Sequence, residues 1–275
     1  MTATTLPEAR VAARSARFSD TLASEWAKIF SARSTYVTLL LGLGLSLGMT
    51  ALVSLAVGST FEEWTASDQA TFEPIMFSLV GIVFGGIVYS VFGVLVGSAE
   101  YSSGMIRLTL TATPKRGRVL AAKALLVTVV VGVFSLLSTV GMFFLGQAIL
   151  GSYDMPTASL SDLDAQRAVF GTGLTGAFFP LIGLSLAFLL RSTAGAITAV
   201  LGVLWLPEIF GGLLPNWWRE NVLSLLPGPA LDSAVIGHIV DSSMYPDPVV
   251  GGLMAAGWLV LALGSAFVLL VRRDA

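Results

Sequence analysis

Residues 100–123 read EYSSGMIRLTLTATPKRGRVLAAK, and the organisation of the chain follows from this stretch. It lies between two long apolar segments and carries five of the fifteen Lys and Arg residues against a single acid, Glu100. Short loops rich in Lys and Arg remain on the cytoplasmic side of a membrane. The stretch therefore predicts a cytoplasmic loop between two membrane-spanning helices.

The same loop has an internal pattern. Met105, Leu108 and Ala112 recur at helical spacing, Gly104 precedes them and Pro114 follows them. This arrangement predicts a short amphipathic helix at the membrane surface, ended by the proline. A basic connector that only fixes the topology is the alternative, and composition alone does not separate the two.

Composition decides the class of protein. Hydrophobic residues make up 55% of the chain, charged residues 12%, and the mean hydropathy is +0.84. Soluble domains carry about 25% charged residues, so these apolar side chains are too many for one soluble core. The sequence predicts an all-α integral membrane protein. With no cysteine and one histidine, His238, it offers neither disulfides nor a Cys or His metal cluster.

The chain begins with a polar segment. Residues 1–17 have no apolar face and predict a disordered cytoplasmic tail. Residues 18–34 place apolar side chains on one face, with Glu25 and Lys28 away from it, which predicts an amphipathic elbow helix in the interface with Trp26 at headgroup depth. The alternative is a plain cytoplasmic extension of the first span.

Six apolar segments follow, each long enough to cross the hydrocarbon, and the third, 120–150, is longer than a span requires. Thirteen of the fifteen basic residues then fall on one side of the membrane, which predicts cytoplasmic termini by the positive-inside rule. The loop at 99–119 is cytoplasmic, and 215–247 is predicted as an external re-entrant or interfacial element. The predicted spans are about 36–57, 74–98, 120–150, 169–190, 194–214 and 249–271.

Small residues recur every four positions in the second span. Gly81, Gly85, Gly93 and Gly97 share this spacing with Tyr89, which predicts one row where another helix approaches closely. The functional alternative is a groove in which Tyr89 faces a substrate. In the fourth span, Pro180 predicts a kink.

Catalytic motifs are missing from the sequence. It contains no G-x-x-x-x-G-K-[ST] phosphate loop, no H-E-x-x-H and no G-x-S-x-G, so we expect no enzyme acting alone, no cofactor and no metal. Glu208 is the one ionisable residue at plausible membrane depth, which makes it a functional candidate. It is equally consistent with a position beside Trp205 at the external headgroups.

Several short segments resemble the type 2 permease family of ATP-binding cassette (ABC) transporters, especially bacterial multidrug or antibiotic exporters. Their placement relative to the spans is more specific than the motifs themselves. They are EWAK at 25–28, RST at 33–35, EYSSG at 100–104, RVLAAK at 118–123, and the intervening Arg107, Leu110 and Pro114.

The resemblance implies a permease dimer, either of identical chains or with a related permease, in the bacterial inner membrane. Each copy would pair with an ATPase subunit on a separate chain, consistent with the missing phosphate loop, and nucleic acid would have no part. The residues that would couple the permease to the ATPase are Glu100, Tyr101, Gly104, Met105, Arg107, Leu108, Pro114, Arg116 and Arg118.

The cargo implied by this resemblance is a hydrophobic or amphipathic compound, since the spans hold no polar cluster. Pro207 precedes Glu208, whereas many relatives place the acid first, so no family role is transferred to Glu208. A stand-alone secondary transporter or channel, and a membrane sensor or anchor subunit, are the alternative functions. The candidate cavity residues are Phe84, Tyr89, Phe92, Trp205 and Glu208.

Overall fold

The computed structural model describes residues 17–102, 104–105, 115–211, 213–237 and 246–272, and these residues form helices and connecting turns without a β-strand. Two 3₁₀ turns, Phe61–Glu63 and Leu223–Leu225, join longer elements. The α-helices are α1 Phe18–Ser31, α2 Arg33–Thr60, α3 Ala66–Ala70, α4 Pro74–Leu79, α5 Ile82–Ser102, α6 Arg116–Ser152, α7 Leu163–Thr175, α8 Phe178–Leu190, α9 Thr193–Gly211, α10 Asn216–Asn221, α11 Pro227–Ile236 and α12 Pro248–Arg272.

Five helical stretches among the described residues are long and apolar enough to cross a membrane, as a multi-pass membrane protein requires. The predicted span at 194–214 coincides with α9. The described apolar part of α9, Thr193–Val203, is shorter than the five long stretches. The five stretches are Arg33–Glu63, Pro74–Tyr101, Arg116–Ser152, Leu163–Leu190 and Pro248–Arg272.

Two of these stretches are interrupted. The break between α7 and α8 lies at Gly176 and Ala177, one turn before Pro180. In a continuous helix the proline ring would clash with the carbonyl four residues earlier, which is that of Gly176. The predicted irregularity is therefore confirmed, but it falls one turn before the proline. The second break, at Val80 and Gly81 between α4 and α5, was not predicted.

Helix α5 lies at the centre of the bundle, in contact with α2, α6, α8 and α9. Tyr89, Phe92 and Val94 on α5 are fully buried. By contrast, α2 and α12 expose large aliphatic side chains such as Leu52 and Leu253 along their outer faces. These faces are the surface that lipid hydrocarbon would cover.

The glycines of α5 bring neighbouring backbones into contact, as predicted, but they face two partners instead of one. A Cβ added at Gly85 would collide with Ser46 and lie 2.8 Å from the carbonyl of Gly42 on α2, and one added at Gly93 would collide with the carbonyl of Pro180 on α8. Residues four apart on an α-helix are offset by about 40°, so a row spaced by four turns gradually around the helix. The prediction of a single face was therefore wrong.

The chain between α9 and α12 enters the bundle and turns back. The indole of Trp258, about 15 Å along α12, donates a hydrogen bond to the carbonyl of Leu225 at 2.9 Å. From there α11 returns toward the beginning of α12, where Ser233 packs against Gly251. The external re-entrant or interfacial element at 215–247 stays a prediction, and its residues 238–245 lie outside the described part of the chain.

Candidate functional site

Four charged side chains from three helices meet at one end of the bundle. Lys28 Nζ of α1 lies 2.7 Å from Glu25 Oε1 and 2.8 Å from Glu100 Oε1 of α5. Lys123 Nζ of α6 lies 2.7 Å from Glu25 Oε2 and 3.2 Å from Glu100 Oε1. Positive and negative groups therefore alternate around a ring. We refer to these four residues as the four-charge cluster.

Three members of the four-charge cluster are buried. The side chains of Glu25, Glu100 and Lys123 are 2%, 6% and 3% exposed, whereas that of Lys28 is 32% exposed. Taking charges out of water is costly unless each finds a partner of opposite sign and further hydrogen bonds. Lys123 meets this condition, because its ammonium also donates to the carbonyl of Val96 at 3.2 Å.

The cluster holds Lys28 in its charged form. Burial alone would lower the pKa of this amine, but hydrogen bonds to Glu100 and Glu25 and the charges of both carboxylates outweigh it, so the pKa is raised. Its contribution to stability is complete below the ordinary pKa of lysine and is lost only as pH rises through the raised value. The cluster therefore retains this cation throughout the neutral range.

Helix α1 presents an unexpected face to the bundle. Thr21, Glu25 and Ile29, spaced by four, are its buried residues, and the helix packs against α6. Trp26 is exposed and its ring lies 4.2 Å from that of Phe30. The sequence placed Glu25 away from the apolar face, yet it is the most buried side chain of α1, because Lys123 neutralises it.

The joint between α1 and α2 is short. Ala32 is extended, and α2 begins at the next residue. Thr35 donates a hydrogen bond to the carbonyl of Ile29, and the Tyr36 hydroxyl donates to that of Phe30 at 3.0 Å. These bonds bridge the joint and hold the end of α1 to the beginning of α2.

The ends of α8 and α12 meet the same region. Arg191 follows α8 with its backbone in the left-handed conformation, at φ 51°. Its guanidinium lies 5.7 Å from the ring centre of Tyr101. Tyr101 also contacts Phe188 edge-on at 5.9 Å between ring centres. Arg116 donates to the carbonyl of Leu270 on α12 at 3.1 Å. Glu100, Tyr101 and Arg116 thus each contact a neighbouring helix at this end of the bundle.

The remaining predicted coupling residues lie around the loop. Gly104 has a φ of 69° and, among the described residues, no atom within 4 Å of an added Cβ, and Met105 beside it is exposed. Arg118 is half-buried in the first turn of α6. The predicted helix at 105–112 stays a prediction, because Arg107, Leu108 and Pro114 lie outside the described residues.

The two ends of the bundle differ in charge. The acidic end has one described basic side chain, Arg167. The described basic residues of the other end, which contains the four-charge cluster, are Arg17, Lys28, Arg33, Lys115, Arg116, Arg118, Lys123, Arg191 and Arg272. The described acids of the acidic end are Glu62, Glu63, Asp68, Glu73, Asp154, Asp162, Asp164, Glu220, Asp232 and Asp247.

A cavity of about 360 Å³ occupies the half of the bundle nearer the acidic end. Its walls are formed by one face of each of three segments, 76–87, 172–179 and 228–236. Within each segment the lining positions recur at helical spacing. Ser135 of α6 adds a buried hydroxyl that finds no hydrogen-bond partner among the described residues. The cavity lies within the size range of small-molecule sites.

Of the five predicted cavity residues, the structure places one at the cavity. Tyr89 lines it, with its hydroxyl 2.8 Å from Ser138 Oγ. Phe92 is buried in the core, and Phe84 is half-buried away from the lining. Trp205 and Glu208 belong to α9, but their side chains lie outside the described residues, so their roles stay predictions.

Asp232 is a lining residue that the sequence analysis missed. It lies in PGPALDSAVI, where it is the only charged residue of α11. An acid within a short apolar helix was the signal that could have identified it. For metals, the described part of the chain contains no group of three or more His, Cys, Asp or Glu side chains placed to hold an ion.

Comparison of the sequence with models of known protein families finds no match, and comparison with curated proteins finds none either. The fold and composition define the class as a helical, multi-pass membrane protein.

Proposed function

We propose that the chain is the permease subunit of a type 2 ABC exporter that moves a hydrophobic or amphipathic compound, with ATP hydrolysed by a separate subunit. In this proposal two permease copies pair in the bacterial cytoplasmic membrane, α9 is the fifth of six spans, and α1 is the interfacial elbow helix. Both termini lie in the cytoplasm.

The observation that carries the proposal is the four-charge cluster. Glu100 lies two residues from the end of α5, and Lys123 lies two turns into α6, so the cluster fixes both stems of the basic loop. It also fixes α1 to those stems through Glu25 and Lys28. A loop that receives force from a partner needs such a rigid base to move its helices as one body.

The uneven distribution of charge supports the proposed orientation. The loop belongs to the end that carries nearly all of the described Lys and Arg residues. Such residues remain in the cytoplasm during insertion. A cytoplasmic ATPase would therefore meet the loop, and the cavity would lie in the outer half of the membrane.

Helix α5 links the two regions. Glu100 in the cluster and Tyr89 at the cavity are eleven residues apart on one continuous helix, a distance of about 16 Å. A displacement at the loop would therefore shift a wall of the cavity. This is the mechanical connection that an ATP-driven permease needs.

The proposal predicts that the chain binds an ATPase through the loop. We expect tagged protein from native membranes to co-purify with a subunit that carries a phosphate-loop motif, and the complex to hydrolyse ATP. Replacing 104–114 with alternating Gly and Ser should remove the ATPase, because the docking surface is lost. Mass spectrometry of the bound chains and an ATP hydrolysis assay measure both effects.

The matched control replaces 157–161, a loop at the acidic end, with alternating Gly and Ser. This variant should retain the ATPase. Both variants must elute as single species in gel filtration. If the wild type retains no nucleotide-binding subunit, or if the 104–114 variant binds it as well as the control does, the chain is not an ABC permease coupled through this loop.

A further inference from the structure

The cavity has the size and shape of a site for a compact ligand. Its volume of about 360 Å³ lies at the lower end of the range for small-molecule sites. Its long walls are single faces of α-helices, so the space is a groove between rods with a largely apolar lining. Such a groove accommodates a flat or rod-shaped apolar body and excludes large, branched molecules.

The described charges near the cavity are mostly acidic. Among the described lining residues, Asp232 is the charged one, and the cavity lies toward the acidic end of the bundle. A negative potential at a low-dielectric cleft attracts cations and repels anions. Asp232 already has another interaction in the fold. A ligand's ammonium group can add to it, because a carboxylate offers about four acceptor positions.

Part of the wall is open toward the cavity. Gly86 of α5 lines it, and a Cβ added there would find no atom within 4 Å. A larger side chain at this position would therefore project into the empty space without meeting the backbone of another helix. This makes Gly86 the position from which the cavity can be filled experimentally.

We propose that this cavity, within a single protomer, is a binding site for compact hydrophobic cations, whose apolar body lies between α5, α7 and α11 and whose charged group lies beside Asp232. The site goes beyond the proposed export function, since binding needs neither nucleotide nor an ATPase. If export is confirmed, this is where we expect the cargo to bind in the outer half of each protomer.

Three photoreactive ligands of nearly equal shape test the proposal on the purified full-length chain in lipid nanodiscs. They are 4-(aminomethyl)benzophenone, a cation; benzophenone, which is neutral; and 4-benzoylbenzoate, an anion. We expect saturable labelling of cavity residues such as Met76, mapped by mass spectrometry. The cation should reach half-saturation at a roughly tenfold lower concentration than the neutral ligand, as a charge-assisted contact provides, and the anion should label least.

Two pairs of variants separate binding from partition into lipid. Gly86→Leu should abolish saturable labelling by all three ligands, whereas Gly44→Leu, at an equally open position on α2 outside the cavity, should leave it unchanged. In Asp232→Asn, the cation and the neutral ligand should reach half-saturation at the same concentration. Asp154→Asn removes the same charge at the same end, in a left-handed conformation that Asn tolerates, and should preserve the preference.

The proposal is overturned if labelling does not saturate, if Gly86→Leu and Gly44→Leu behave alike, or if the cation keeps its advantage in Asp232→Asn. None of these results depends on an ATPase. Failure here would therefore leave the proposed export function standing, and loss of the ATPase interaction would leave this site standing.

Discussion

Replacing Lys123 with methionine is expected to lower the free energy of unfolding by about 3–5 kcal/mol, because it leaves buried carboxylates short of a cation. Lys123 touches both Glu25 and Glu100, and all three side chains are almost completely buried. Of the cations in the four-charge cluster, Lys28 would remain for two carboxylates. Reversible unfolding in mixed micelles with increasing sodium dodecyl sulfate measures the change.

Lys115→Met is the matched control for Lys123→Met. Lys115 belongs to the same basic segment but is exposed, so its loss should change the free energy of unfolding by less than about 0.5 kcal/mol. If both variants are equally stable, the four-charge cluster does not hold the helix ends together.

A double variant shows whether the cluster acts as a unit. Glu100→Gln combined with Lys123→Met removes one charge of each sign and leaves Glu25 paired with Lys28. We expect the double variant to lose less stability than the sum of the two single variants, by about 0.5–3 kcal/mol. Additive losses would mean that the two side chains act independently.

Gly93→Ala is expected to destabilise the protein by about 1–3 kcal/mol, because a single methyl group has no room between α5 and α8. A Cβ at Gly93 would collide with the carbonyl of Pro180, and one at Gly183 would come within 2.7 Å of the carbonyl of Ser90. The two backbones are therefore in direct contact, and relief requires the helices to separate. The same unfolding titration measures the loss of stability. Gly93→Leu should destabilise the protein more than Gly93→Ala does.

Gly86→Ala provides the comparison on the same helix. Its added methyl group enters open space, so the substitution should be neutral, or stabilising by up to about 1 kcal/mol through helix propensity. Equal losses for Gly86→Ala and Gly93→Ala would show that the effect comes from the backbone of α5 and not from its contact with α8.

The membrane class and most helix positions could be predicted from the sequence because they depend on local patterns. Runs of about twenty apolar residues define the spans, and Pro74 begins α4 where the sequence placed the second span. The break before Pro180 follows from the ring of a single residue. In each case the information lies within one or two helical turns.

The four-charge cluster could not be predicted, because its members are distant in sequence. Glu25 looks like a surface residue beside Lys28, and only the fold brings in Glu100, which lies 72 residues after Lys28. The cavity is similar, because Asp232 and Tyr89 come from segments that the sequence does not relate to each other. Single-helix patterns describe which side chains share a face, but not which faces meet.

The return path of α11 also bears on how the protein is made. At ten residues, α11 is about 15 Å long and too short to be inserted as a span, and Gly251, against which its Ser233 packs, belongs to a helix that is synthesised later. A nascent chain that ends before Pro248 therefore offers α11 its contacts with α7 but not those with α12. The wall of the cavity that α11 forms is held from both sides only after α12 has left the ribosome.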